Sequence, residues 1–148
     1  MKSFKQRAAL LSGLAMATTL AVGSMTMPAR AASTVKWETS LATAQQKAKA
    51  SGKPILIDFY TSWCAPCKVM DKKTYPNAAV IKESQKWIML KIDAMKQESV
   101  AAKYKVEGYP TILFLKPNGQ SVGGVRQKGL SASALLAQMR ANYSKARK

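Results

Sequence analysis

The chain has no histidine, only two cysteines, and only seven acidic residues against 24 basic ones. Each shortage excludes something. Without imidazole, any proton shuttle must use Asp, Glu, Lys, Tyr or a thiol. A zinc site would need two more Cys or His ligands than the chain owns. A c-type haem attachment needs His directly after the second cysteine, where Lys68 stands. No metal and no cofactor are therefore expected. The scarcity of acids leaves a net charge of +17 at pH 7. The lysines are scattered and form no long run, so a solvated surface is expected and no nucleic acid. Attraction to an acidic partner or an anionic lipid surface is the remaining reading of that charge.

What is present suits one domain. A chain of 148 residues, 47% of them apolar, can bury a core without metal or many disulfides. Two cysteines three positions apart, at 64 and 67, are not needed as staples. A loop that short would constrain the unfolded chain little. Redox chemistry is the more economical reading.

The first 31 residues read as a secretory signal peptide. Lys2, Lys5 and Arg7 form a basic start, and Ala8 to Val22 is free of charge. Ala29-Arg30-Ala31 then offers small residues where a signal peptidase cuts. The apolar run falls short of the ~20 residues of a spanning helix. An uncleaved anchor is the alternative. Cleavage after Ala31 would leave residues 32–148 as the mature domain, periplasmic or otherwise exported. Disulfides persist in such compartments, so a lone pair stays oxidised unless something supplies electrons.

Along the mature chain, residues 32–40 look irregular. Ser40 caps a predicted helix to about Ala50, with Leu41, Ala44 and Ala48 on one side. Ile55 to Tyr60 reads as a strand buried on both faces. A helix is predicted from Cys64, tolerating Pro66 in its first turn and breaking near Pro76. Asn77 caps a segment to Ser84. Trp87 to Ile92 is the next strand and 97–105 a short helix. Thr111 to Leu115 and Ser121 to Arg126 form a hairpin across Pro117-Asn118-Gly119. Ser131 caps a last helix carrying Leu135, Leu136 and Met139, and the basic tail from Lys145 is expected to fray. This order predicts an α/β fold, a mixed central sheet with helices on both faces. Nothing suggests oligomerisation, so a monomer is expected.

Trp63-Cys64-Ala65-Pro66-Cys67-Lys68 carries the chemistry. A helix start offers free amides and the positive end of the dipole, both of which favour a thiolate at Cys64. Residues i and i+3 share a helix face, roughly 5–6 Å apart at Cα, which suits a disulfide. Cys64 is expected to be exposed and to attack. Cys67, one turn in, is expected to be sheltered and to resolve the mixed disulfide. A static local disulfide is the bland alternative.

These residues resemble the active site of thioredoxins. The resemblance extends to Asp58, six residues before Cys64, where thioredoxins carry a buried acid, and to Gly129 before the last helix. Gly108-Tyr109-Pro110-Thr111 is similar to the thioredoxin loop that holds a cis-proline. It covers about residues 40 to 142. The stretch Met70 to Asn77 and the Gly52-Lys53-Pro54 lead-in are similar to the periplasmic C-terminal domain of the transmembrane reductase DsbD and its stand-alone relatives.

The resemblance implies a role for each residue. Burial should raise the Asp58 pKa, letting it take the Cys67 proton and return it; a strand-end Asp bonding local amides is the alternative. Many thioredoxins place a lysine near this acid, four residues before the acid ending the next strand. Counting back from Asp93 gives Met89, with Lys91 two residues later on the same face. Pro110 is expected cis, exposing the backbone of Tyr109 to a substrate strand. Trp63 is expected to pack beside Cys64 and shape its access. Trp37 and Trp87 read as packing.

The implied activity is reduction of disulfides in exported proteins. Ala65-Pro66 carries no charge to over-stabilise the Cys64 thiolate, unlike a strong oxidant. Reduction in an oxidising compartment requires a membrane electron donor of DsbD type. A disulfide oxidase or isomerase of the same fold, and a non-catalytic basic binding module with a static disulfide, are the rivals. Protein disulfide isomerases share Gly-Tyr-Pro-Thr, but the His between their cysteines is missing here.

Overall fold

A computed structural model describes residues 34–148; the predicted leader, residues 1–31, lies outside them. The chain builds one five-stranded mixed sheet. In chain order the elements are β1 (Trp37–Glu38), α1 (Leu41–Ser51), β2 (Ile55–Tyr60), α2 (Ala65–Val69), a π turn (Met70–Thr74), α3 (Ala78–Ser84), β3 (Ile88–Asp93), α4 (Glu98–Lys103), β4 (Thr111–Leu115), β5 (Ser121–Arg126) and α5 (Ala132–Arg147). The strand order is β1-β3-β2-β4-β5. β2 pairs parallel with β3 and antiparallel with β4, so it is central.

Side-chain parity sorts the sheet into two cores. Ile55, Ile57 and Phe59 of β2 join Leu90 and Ile92 of β3 under α1 and α4. Leu56 and Met89 point the other way, into a cluster with Met70, Tyr75, Val80, Leu135 and Met139. Strand side chains alternate between faces. Asp58 therefore shares the face of Leu56, and Lys91 that of Met89, on the side that carries α2, α3 and α5.

Three expectations need correction. Residues 32–40 are not wholly irregular: Trp37 and Glu38 pair with Met89 and Leu90 as a parallel edge strand. The predicted break near Pro76 begins earlier, as a π turn closed by Tyr75 N–H donating to the Met70 carbonyl at 3.0 Å. Tyr75 itself keeps right-handed helical geometry before Pro76, and the chain becomes extended only at Asn77, the N-cap of α3. The basic tail does not fray: α5 runs to Arg147, held by a fully buried Ala146 on the stripe of Leu135 and Met139.

Candidate active site

The carbonyl of Thr61, just past β2, accepts the Cys64 N–H at 3.3 Å, and this turn sets Cys64 as the N-cap of α2. The Cys64 Sγ accepts the Cys67 N–H at 3.3 Å. The sulfur thus satisfies one of the free amides of the first turn, as an oxygen does at an ordinary cap. Pro66 fits because that turn needs no donor from it. The two cysteines are bonded, with an S–S distance of 2.08 Å and Cα atoms 5.3 Å apart.

The expected contrast between an exposed Cys64 and a sheltered Cys67 does not hold in the disulfide form. They are 4% and 3% exposed. The Cys64 side chain turns back to cap its own helix and to bond Cys67, which withdraws it from solvent. Trp63, at 67% exposed, is what the site presents outward. Its ring meets Tyr109 edge-on, centroids 5.8 Å apart. That contact ties the loop 108–111 to Trp63, the residue before Cys64. There the Tyr109–Pro110 peptide is cis, and the Thr111 hydroxyl donates to the Gly108 carbonyl at 2.7 Å. Gly129 closes another side: a Cβ at this position would stand 3.3 Å from the Pro66 Cβ.

Asp58 is 2% exposed, and its Oδ1 has no hydrogen-bond partner. Burial pushes its pKa up to about 6, while the Lys91 charge and the neighbouring Tyr75 hydroxyl draw it down by less. The Tyr75 hydroxyl is likewise buried without a hydrogen-bond partner. Burial, then the Asp58 charge, pushes its pKa well above the ordinary value. An acid held near neutrality on the face that carries a dithiol helix is able to exchange a proton at working pH.

The lysine near this acid comes from Lys91, not from the Met89 position, which is core. Lys91 pairs with Asp71 of the π turn. Its Nζ lies 5.0 Å from the centroid of Tyr60 and 5.4 Å from those of Trp37 and Tyr75. Three aromatic faces and one carboxylate therefore fix this cation. Sequence reasoning gave Tyr75 and Asp71 no role. The available signal was Asp71 one helical turn past Cys67; no local pattern marks Tyr75. Among the described residues, no cluster of His, Cys, Asp and Glu is arranged to hold a metal ion, and no helix is long and apolar enough to cross a membrane.

Comparison with known proteins agrees with this geometry. The family model described as thioredoxin matches residues 35–141. The chain is similar to Thioredoxin-1 of Drosophila melanogaster, 44% identical over 69 residues that cover 47% of this chain and 63% of that protein. It is similar to the thiol:disulfide interchange protein DsbD of Haemophilus ducreyi, 35% identical over 105 residues that cover 67% of this chain and 18% of DsbD. The chain therefore spans less than two thirds of either relative. Among solved structures, the DsbH oxidoreductase shares the fold with a TM-score of 0.67 at 21% identity, covering 82% of this chain and 94% of that one. With the family model spanning nearly all of the described fold, the chain belongs to the thioredoxin family.

Proposed function

We propose that residues 32–148 form an exported thiol–disulfide oxidoreductase that reduces disulfides in other exported proteins. The observation that carries this reading is the Cys64 Sγ held at the head of α2, accepting the Cys67 amide, with Cys67 one turn behind it. In the reduced protein, the Cys64 thiolate attacks a substrate disulfide. One S–S bond breaks, a mixed disulfide forms, and the first substrate thiolate leaves. The Cys67 thiol gives its proton to the Asp58 carboxylate and attacks the Cys64 sulfur. The Cys64–Cys67 bond forms and the second substrate thiolate departs. Two electrons have passed to the substrate, and Asp58 returns its proton to a departing thiolate or to solvent.

Trp63, Tyr109 and Pro110 form the rim on which the substrate segment lies, the Tyr109 backbone pairing with it as an added strand. Resetting the site needs two electrons from outside. The similarity to DsbD supports a membrane donor of that type. The signal-like residues 1–31 support export, with cleavage near Ala31.

Substituting the resolving thiol tests the scheme. Cys67→Ser should accumulate mixed disulfides with substrate proteins through Cys64, and the Cys64→Ser variant should accumulate none. A Cys67→Ser protein that traps nothing, yet binds its partners as the wild type does, would instead identify a binding module with a static disulfide.

A further inference from the structure

Two neighbouring polar groups lie buried without partners on the face of the sheet that carries α2. Asp58 and Tyr75 are 2% and 4% exposed. In the disulfide form neither Asp58 Oδ1 nor the Tyr75 hydroxyl makes a hydrogen bond. Native folds leave few buried polar atoms unpaired, because each costs free energy. The two groups adjoin, since each acts on the acidity of the other. They stand close, one donor and one acceptor, and in this redox state they are not joined.

The Tyr75 ring is held in place. Trp37 meets it edge-on with centroids 4.8 Å apart, and the Lys91 Nζ lies 5.4 Å from its centroid. Tyr75, Asp71, Lys91 and Trp37 line one cleft of about 280 Å³. Among the described residues, the charges acting on Asp58 are Lys91 of β3 and Asp71 of the π turn, and Asp58 acts in turn on Tyr60 of its own strand. Lys91 is committed elsewhere: it pairs with Asp71 and sits over three aromatic rings. Of these groups, Tyr75 is the buried donor with no other engagement.

We propose that Tyr75 is a positioning residue for the Asp58 base, its hydroxyl donating a hydrogen bond to the ionised carboxylate in the reduced protein. The hydrogen bond favours the charged form against burial, so the carboxylate stands ready when Cys67 attacks. The Cys67 proton then passes to Asp58, the carboxylate charge is lost, and the bond from Tyr75 weakens. Tyr75 keeps its own proton throughout, because burial and the Asp58 charge push its pKa well above the ordinary value. The inference rests on the reductase reading and adds to it a residue that acts through Asp58.

Tyr75→Phe deletes the hydroxyl and keeps the ring. The test follows resolution of the mixed disulfide between the reduced chain and a disulfide-bonded peptide, by rapid quench across pH. The midpoint of the pH profile is expected to rise by about one unit, the worth of a hydrogen bond to a charged group. Resolution should therefore slow about tenfold at the acid end of the profile and match the wild type at the alkaline end. In the Asp58→Asn background, Tyr75→Phe should change nothing further. Urea denaturation of the oxidised Tyr75→Phe protein should show no loss of stability, since the hydroxyl has no partner there to lose. An unmoved midpoint, equal slowing at every pH, or the same slowing in the Asp58→Asn background would overturn the role of Tyr75 and leave the reductase reading standing. A wild-type chain that never forms a mixed disulfide through Cys64 would overturn the reductase reading, and this inference with it.

Discussion

Lys91 stands opposite Asp58 in the parallel register of β3 and β2, and its charge favours the carboxylate that burial disfavours. The two effects leave the acid near neutrality, not far above it. Removing the lysine should let burial act unopposed. Lys91→Met is therefore expected to raise the Asp58 pKa above about 6. The pH profile of mixed-disulfide resolution should move up with it, and a carboxyl titration followed by infrared or NMR spectroscopy reads the same shift. Asp71 loses its partner in this variant, but at 42% side-chain exposure it remains solvated, so the fold should survive. An unmoved profile would mean that Lys91 does not act on Asp58.

Asp58 also sets how stability depends on pH. Its folded pKa of about 6 lies above the ordinary 3.8. Between those values the folded protein holds a proton that the unfolded chain has released. Stability should therefore fall as pH rises through this window and level off above it. Asp58→Asn removes the slope and should stabilise the oxidised protein by up to about 3 kcal/mol at neutral pH. Urea denaturation of both proteins across this pH range measures the difference.

The same substitution should damage catalysis while it helps the fold. Without the Asp58 carboxylate, the Cys67 thiol loses the buried base proposed to take its proton, since the other carboxylate on this face, Asp71, is paired with Lys91. Collapse of the mixed disulfide is expected to slow by about 10²-fold, at the low end for a lost general base. Rapid-quench detection of the mixed disulfide separates this step from the first attack by Cys64, which should change far less.

Much of this was legible in the sequence because the signals were local. β2, β4 and β5 run where their apolar or alternating stretches end at turn-forming residues, and Ser40, Asn77 and Ser131 cap the helices they were expected to cap. The Cys64–Cys67 pair was marked by its spacing at a helix start, and Asp58 by the resemblance to thioredoxins. β1 was missed because a two-residue strand has no pattern of its own and exists only by pairing with β3. The end of α5 was hidden by its charges: Ala146 continues the buried positions of Leu135, Met139 and Asn142, but lysine and arginine surround it. The burial of Cys64 follows from its capping geometry, which composition does not record. The Tyr75, Asp71 and Lys91 grouping joins segments far apart in the chain, so no local window contains it.

The tie between the π turn and the start of α5 predicts a stability effect away from the sulfurs. Thr74 is buried, and its hydroxyl donates to the Leu130 carbonyl. Thr74→Val keeps the shape and deletes the donor, leaving a buried carbonyl short of a partner. A loss of about 1–2 kcal/mol is expected from urea denaturation, with the Cys64–Cys67 disulfide still forming.

The most direct test of the reductase reading is the equilibrium reduction potential of Cys64–Cys67, measured on residues 32–148 against glutathione buffers. A value below about −230 mV, toward the reducing end of the known scale, is expected. A value above about −160 mV would contradict electron flow toward substrates and make the protein an oxidant or isomerase on the same fold.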